Sequence, residues 1–239
     1  MANIVILDNQ KHGTLRVDAR ASARLGDNQR FVQAIVGEFP FLAVHYPILI
    51  SKDSDTGAFF CGAVLGFDPE ENLFLSEAGH EAYRPLNLQR APFFAAGDGL
   101  AIDLDSPRLA SGEGQALFTE NGDPTPYLES VKASFGELRP GIEMTKIFLA
   151  TLMSLKLIEP ISISLSFDDG SKRELAGLYT INREALRALP DANVVELFRR
   201  GYLQLIYLMI ASVKQIPVLA KKKNDRILQD SGVLPGRGA

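Results

Sequence analysis

The chain has 239 residues, of which 46% are apolar and 23% charged, and its net charge at pH 7 is −4. This composition is sufficient for a large buried core, and it indicates neither intrinsic disorder nor binding to nucleic acid. The single cysteine, Cys61, excludes a disulfide framework within the chain and any metal site built from several cysteines. Because no secretory signal and no apolar run of about 20 residues is visible, we expect a cytoplasmic protein without a membrane span.

The first part of the chain, residues 1–123, is predicted to be rich in β-strands. Residues 42–50 are almost continuously apolar and have the length of a buried strand. Two further apolar runs, 59–67 and 72–75, follow after short polar turns, and this spacing predicts an antiparallel meander. Shorter strands are predicted before and after it, at residues 4–7, 14–17, 100–104 and 116–118.

The second part, residues 124–220, is predicted to be rich in helices. Thr125-Pro126 can start a helix, and Leu128, Val131 and Phe135 follow on one stripe at helical spacing. Apolar residues recur in this way on both sides of Pro140, which predicts two helices at 127–138 and 143–156. Residues 161–167 alternate apolar side chains with serine, and with residues 173–180 they predict a β-hairpin. A long helix at 193–216 is apolar on most sides, which is typical of a core helix or of a homodimer contact.

These patterns together predict an α+β fold. We expect a β-rich N-terminal part built on an antiparallel sheet, with the C-terminal helices and the hairpin packed on it. One domain is expected to cover residues 1–220, and residues 221–239 are expected to form a flexible tail.

The histidines allow a metal-site hypothesis. Two histidines and a carboxylate on one side of a metal are the ligands of non-haem iron oxygenases, and His12, His45 and Glu38 could supply them. None of the histidines, however, begins the short His-x-Asp or His-x-Glu pattern of that site. The alternative is that His45 makes one ordinary hydrogen bond in a strand and His12 lies in a turn. We therefore do not prefer the metal site over this alternative, and we assign no cofactor.

No catalytic residue is assigned. The chain contains neither the Gly-x-Ser-x-Gly turn of serine hydrolases nor a glycine-rich phosphate loop. Cys61 lies within an apolar predicted strand, which favours a buried, inert thiol over a nucleophile.

Three arginines lie within two residues of a proline in the middle of the chain: Arg84, Arg90 and Arg108. Extended segments with arginine, proline and aromatic residues can bind an anion or a peptide carboxylate, because guanidinium offers a bidentate fork. The alternative, that these arginines anchor loops, stays open. The candidate ligand-binding residues are Tyr83, Arg84, Arg90, Phe93, His45 and Tyr46.

Many short segments, taken in their order, resemble the SapC-like family of bacterial proteins, over roughly residues 8–222. The resemblance rests on Asn9-x-x-His12-Gly13, Glu38-Phe39-Pro40, His45-Tyr46-Pro47-Ile48, residues 63–66, 72–74, Tyr83-x-Pro85, Arg90-x-Pro92-Phe93, and residues 157–160 and 177–181. None of these segments is a catalytic signature.

The resemblance implies an accessory or substrate-presenting role in envelope transport or protein modification. The leading hypothesis is therefore a protein that binds a peptide or protein partner, through an exposed sheet edge or the proline-rich extended segments. A metal-dependent oxygenase of the non-haem iron type is one alternative. A structural subunit that dimerises through the helix at 193–216 is another.

Overall fold

The computed structural model describes residues 3–230. The strands are β1 Ile4–Ile6, β2 Arg16–Val17, β3 Phe31–Gln33, β4 Ile48–Lys52, β5 Phe59–Val64, β6 Leu75–Ser76, β7 Gly79–His80, β8 Phe93–Ala96, β9 Gly99–Asp103, β10 Gln115–Ala116, β11 Ile158–Ser166 and β12 Lys172–Ile181. The α-helices are α1 Asn9–His12, α2 Phe39–Leu42, α3 Leu86–Gln89, α4 Pro126–Ser154, α5 Arg183–Arg187, α6 Asp191–Arg199, α7 Tyr202–Ser212 and α8 Gln215–Asp230. The strand pairs in the described residues are antiparallel, and the α+β class is confirmed.

The described residues fall into two compact units. The first unit contains residues 3–28 and 74–141, and the second contains residues 29–73 and 142–230. Helix α4 contributes to both, because its residues up to Gly141 belong to the first unit and those from Ile142 to the second.

The first unit is built on a small sheet with the strand order β1-β9-β8. Strands β2 and β10 form a second pair, and β6 and β7 form a short hairpin. The hydrophobic core of this unit joins the sheet to the first half of α4. Its fully or nearly buried members are Val17, Phe93, Leu100, Ile102, Leu117, Leu128, Val131 and Phe135.

Helix α4 begins where the sequence predicts a helix start. The hydroxyl of Thr125 accepts a hydrogen bond from the Leu128 amide at 3.4 Å, and Pro126 occupies the first turn, where its missing N–H is tolerated. Helices are present on both sides of Pro140 as predicted, but the predicted break between them is wrong. Helix α4 runs through this proline without interruption. Apolar side chains are buried on both halves of α4, and their burial outweighs the one hydrogen bond that Pro140 cannot make.

The second unit is built on a five-stranded sheet with the order β11-β12-β4-β5-β3. The predicted hairpin is present as β11 and β12, and its base joins the sheet where Leu178 pairs with Ser51. The register shifts opposite residues 161–163, where Gly177 has φ +74°, a bulge that bends the hairpin. Near the turn of the hairpin, Phe167 packs against Phe67 with ring centroids 5.5 Å apart. The far end of the hairpin therefore contacts the loop after β5.

The strand predicted at residues 42–50 is wrong over its first half. Residues 39–42 form α2, and the strand starts only at Ile48. Pro40 favours a first helical turn, and an unbroken apolar run has no periodicity that distinguishes a helix from a strand. Similarly, residues 72–74 are not a strand, and β6 begins at Leu75. Cys61 is fully buried in β5, and burial raises the pKa of its thiol, as expected for an inert cysteine.

The helix predicted at residues 193–216 is divided in the structure. Gly201 has φ +72° between α6 and α7, a conformation that interrupts a helix and that glycine adopts without strain. The predicted tail is also corrected for residues 221–230, which belong to α8, whereas residues 231–239 lie outside the described residues. The stretch Tyr202–Asp230 is long and apolar enough to cross a membrane by length and composition, a property that core helices of soluble proteins share.

Candidate functional site

Two of the arginines singled out in the sequence do bind an anion, and this anion is a carboxylate of the same chain. Arg108 Nη2 lies 2.7 Å from Asp27 Oδ2, and Arg84 Nη2 lies 2.9 Å from Asp27 Oδ1. The side chains of Asp27 and Arg108 are each only 1% exposed, and that of Arg84 is 18% exposed. These three residues are called the Asp27 cluster below.

Backbone carbonyls complete the Asp27 cluster. Arg108 Nη1 donates to the carbonyls of Asp18 and Arg20, both at 2.9 Å, and Arg84 donates to the carbonyl of Ala19 at 3.1 Å. The cluster therefore fixes the loop at residues 18–27 to distant parts of the chain. The structure supports the loop-anchoring alternative for Arg84 and Arg108, since their guanidinium groups are occupied by contacts within the first unit.

Arg90 and Phe93 have structural contacts too. Arg90 donates to the side chain of Asn87 at 2.7 Å and to the carbonyl of Phe93 at 2.7 Å, which holds the turn before β8. Its guanidinium carbon lies 5.2 Å from the ring centre of Phe94. Phe93 is completely buried in the core of the first unit, and Tyr83 is half-buried.

His45 and Tyr46 belong to the second unit, whereas the other four candidate residues belong to the first. Tyr46 is completely buried, and its ring lies 5.9 Å from that of His45. The ligand-binding roles of these six residues stay a prediction, and for Phe93 and Tyr46 a direct contact with a ligand would require the core to open.

The proposed metal ligands have other contacts. His12 Nδ1 accepts a hydrogen bond from the Asp8 amide at 3.0 Å, and the buried carboxylate of Glu38 accepts one from the Ile35 amide at 3.1 Å. Among residues 3–230, no group of three or more histidine, cysteine, aspartate or glutamate side chains is placed to hold a metal ion. His12, Glu38 and His45 are thus not such a group.

One concave feature of the first unit is a groove of about 600 Å³ along the first half of α4. We call it the α4 groove. Its apolar floor continues the core of the unit and comes from Leu7, Leu100, Phe118, Leu128 and Phe135. This volume lies within the range of about 300–1,000 Å³ that is usual for small-ligand sites.

Polar residues lie around the α4 groove. They are Asp8, Asn9, Asp98, Lys132 and Arg139. Asp8 Oδ1 accepts hydrogen bonds from the amides of Gln10 and Lys11, and these bonds, with that of Lys11 the stronger, hold the pKa of its carboxyl below the usual value. At neutral pH the groove therefore presents negatively and positively charged side chains next to apolar surface.

Gly136 gives the α4 groove its open side. A Cβ atom added at this residue would meet no heavy atom within 4 Å, so the groove has free space directly above the helix. Pro140 has no N–H, and the carbonyl of Gly136 consequently lacks its regular partner four residues along the helix.

Sequence reasoning did not find the α4 groove. Its residues come from four separate parts of the chain, and none of them forms a motif. The one local signal was a glycine four residues before a proline within a helical pattern, at Gly136 and Pro140. The sequence did predict the apolar stripe Leu128, Val131 and Phe135, which forms the inner face of this half of α4.

Comparison with curated proteins and with solved structures gave no significant match. The sequence profile of the SapC family matches residues 7–219, which is most of the chain and nearly the range over which the ordered segments resemble that family. The chain therefore belongs to the SapC family.

Proposed function

We propose that this SapC-family protein is an accessory protein that binds a peptide segment, and that the α4 groove is its binding site. The observation that supports this most directly is the groove itself, whose apolar floor is surrounded by groups of both charges. An apolar floor binds side chains, and polar groups around it fix a backbone in place, which is the usual division of roles in a ligand site.

The family resemblance supplies the wider setting of the proposal. We propose that the peptide segment belongs to a protein that is transported to the cell envelope or modified, and that binding takes place in the cytoplasm. The groove contains no grouping of nucleophile, base and oxyanion donors within the described residues, and binding without catalysis is therefore the function we propose.

The proposal is tested by filling the groove. Gly136→Trp places a large side chain in the open space above α4, while the absence of atoms within 4 Å of the added Cβ allows the helix to form as before. Glu137→Trp is the matched control, because Glu137 is exposed on the opposite side of the helix from the groove.

Immobilised protein is used to select binders from a phage library of random heptapeptides. We expect selected peptides to lose at least about tenfold in affinity for Gly136→Trp and to bind Glu137→Trp like the unaltered protein. A library without enriched sequences, or binding that Gly136→Trp leaves intact, would contradict the proposal.

A homodimer is a second candidate, favoured by exposed apolar side chains in the region of residues 193–216. Phe198 is 72% exposed and Tyr207 is 59% exposed, and Val195 lies one turn before Phe198 on α6. Light scattering of the full chain tests it, with Phe198→Glu expected to shift a dimer to a monomer. A monomer at high concentration in the unaltered protein would refute it.

A further inference from the structure

The small sheet of the first unit has two edge strands, β1 and β8, and the chain uses their outer backbone groups differently. At the start of β8, the N–H of Phe93 donates to the carbonyl of Arg90 at 2.8 Å. The carbonyl of Phe93 in turn accepts a hydrogen bond from the Arg90 guanidinium at 2.7 Å. Arg90 therefore occupies backbone groups that an added strand would need along the first half of β8.

The outer backbone groups of β1 belong to Ile4 and Ile6. The Leu7 amide donates to a β9 carbonyl at 2.9 Å, and the Asn3 carbonyl accepts a bond from the residue after β9, also at 2.9 Å. Because hydrogen-bonded pairs alternate along an antiparallel ladder, the N–H and C=O groups of Ile4 and Ile6 point away from β9. Within residues 3–230, these outer groups have no hydrogen-bond partner.

The side chains at this edge are exposed as well. Ile4 is 49% and Ile6 is 72% exposed, and both lie on the face opposite to Val5, which packs on the core. On the same face, Ala101 and Phe94 continue the row of Ile6 across β9 and β8. Open sheet edges are usually protected by lysine, proline or an inward charge, and β1 contains none of these.

Two copies of β1 complement each other. If they run antiparallel about a two-fold axis at Val5, Ile4 of one copy faces Ile6 of the other, and each facing pair exchanges two N–H···O bonds. The outer groups of both isoleucines are then used, and their side chains form one apolar cluster. Asp103, beside Ile4 on β9, lies at the outer corners of this cluster. The two aspartates are about three strand spacings apart, roughly 14 Å, which exceeds the screening length of about 8 Å.

We propose that β1 is a dimerisation strand, which pairs antiparallel with β1 of a second copy of this chain and joins the two three-stranded sheets into one. This inference is independent of the proposed peptide site, and it uses a surface other than the exposed side chains of α6 and α7. Since so short a strand pair buries less area than a usual stable interface, we expect weak association, with a Kd on the order of 100 µM.

Analytical ultracentrifugation of the full chain, from about 10 µM to 1 mM, measures this association. Ile6→Pro removes an outward N–H and leaves the bonds to β9 in place, and we expect it to weaken association at least about tenfold. Ile6→Lys keeps the N–H but places a charge beside Ile4 of the second copy, and it should act in the same direction. Phe198→Glu is the matched control, because it changes an equally exposed apolar side chain in the second unit and should leave association unchanged.

Cysteine trapping tests the register. In the proposed pairing, Val5 of each copy forms a non-hydrogen-bonded pair with Cα atoms about 4.5 Å apart, within the range of about 4.4–6.8 Å found in disulfides. With oxidised glutathione as the oxidant, Val5→Cys should therefore form a covalent dimer. Ile4→Cys faces Ile6 and not itself, so it should form at least about fivefold less, although Ile4 is the more exposed residue. The unaltered protein gives the background, since Cys61 is fully buried.

Each outcome decides the proposal. A dimer that both Ile6 substitutions weaken and that Val5→Cys traps supports it. A protein that stays monomeric at about 1 mM overturns it, and so does a dimer that neither Ile6 substitution weakens or that Phe198→Glu abolishes. Faster trapping of Ile4→Cys than of Val5→Cys overturns the register about Val5. Circular dichroism of the variants at low concentration shows that each monomer is folded, and Ile6→Lys keeps the test valid if Ile6→Pro is not.

Discussion

Each unit contains a cluster of charged side chains, and the two clusters differ in burial and in charge balance. In the Asp27 cluster of the first unit, two guanidinium groups meet one carboxylate, and the carboxylate and Arg108 are 1% exposed. The cluster of the second unit contains Asp68, Glu71, Arg173 and Lys223, two acids and two bases, with exposures between 10% and 39%. We call it the Lys223 cluster.

The two clusters hold their surroundings in different ways. The Asp27 cluster fixes one loop from inside, and the Nε atoms of Arg84 and Arg108 are buried without a hydrogen bond to any described residue. In the Lys223 cluster, Lys223 Nζ lies 2.8 Å from Asp68 and 2.5 Å from Glu71, which ties α8 to the loop after β5. The comparison indicates that removing a buried charge has a large and general effect, whereas the more exposed cluster controls one helix.

The largest effect is expected from Asp27→Asn. This substitution keeps the shape of the side chain but leaves two guanidinium groups without their buried anion, and we expect the free energy of unfolding to fall by about 3–5 kcal/mol. Urea denaturation followed by circular dichroism measures it. Arg20→Gln is the control, because the Arg20 side chain is 83% exposed and its pair with Asp18 should contribute little to stability. Equal effects of the two substitutions would remove the distinction between buried and exposed charges.

A smaller and local effect is expected from Lys223→Met. It removes two charge-assisted hydrogen bonds at a partly exposed position, for an expected loss of about 1–2 kcal/mol. Hydrogen exchange should rise in α8 and in residues 66–72 and stay unchanged in residues 18–28. Lys221→Met changes the net charge equally at an exposed position and should leave exchange in α8 as it was. Uniformly faster exchange along the chain would contradict a local role.

Acidification should weaken the Lys223 cluster. The hydrogen bond from Arg173 is the main reason that the pKa of Asp68 lies below its ordinary value of 3.8, and Lys223 adds to it. A carboxyl group whose pKa is lowered by folding stabilises the protein above its unfolded pKa, and this contribution is lost as the pH falls through the lower folded pKa. We therefore expect the stability difference between the unaltered protein and Lys223→Met to shrink when the pH is lowered below 3.8. A difference that stays constant down to acid unfolding would disprove the pairing.

The smallest effect is expected from salt. At 1 M salt the screening length is about 3 Å, so the contribution of the exposed Lys223 cluster should fall by a few tenths of a kcal/mol, roughly 0.3–0.5. The effect of Asp27→Asn should not change, because buried charges are screened much less. Repeating both denaturation experiments at low and high salt measures the contrast, and a salt effect of the same size on both substitutions would argue against it.

Much of the fold was predictable from local patterns. The alternation of isoleucine and serine at residues 161–167 predicts the hairpin, because a period of two places one set of side chains on one face. The helical stripe Leu128, Val131 and Phe135 predicts the buried face of α4 in the same way. The predictions failed where the local pattern does not distinguish a helix from a strand, as in the unbroken apolar run of residues 42–50.

The candidate site was predictable only in part. The sequence directed attention to Arg84 and Arg108, and the structure shows that both are bound to Asp27. Nothing near Asp27 in the sequence signals this, since it lies in a polar loop that reads as an ordinary turn. The α4 groove is likewise not apparent in the sequence, because its polar residues are separated along the chain and share no motif.

By itself the sequence determined which segments alternate, which have a helical stripe, where Thr125 and Pro126 begin a helix, and to which family the chain belongs. These properties depend on neighbours within a few residues, which the sequence displays directly. Only the tertiary structure decided that Asp27 pairs with Arg108, 81 residues away, and that Asp8 and Arg139 line one groove. Such pairs form because burial in a common core brings distant segments together, and a buried charge is stable only where its partner is placed beside it.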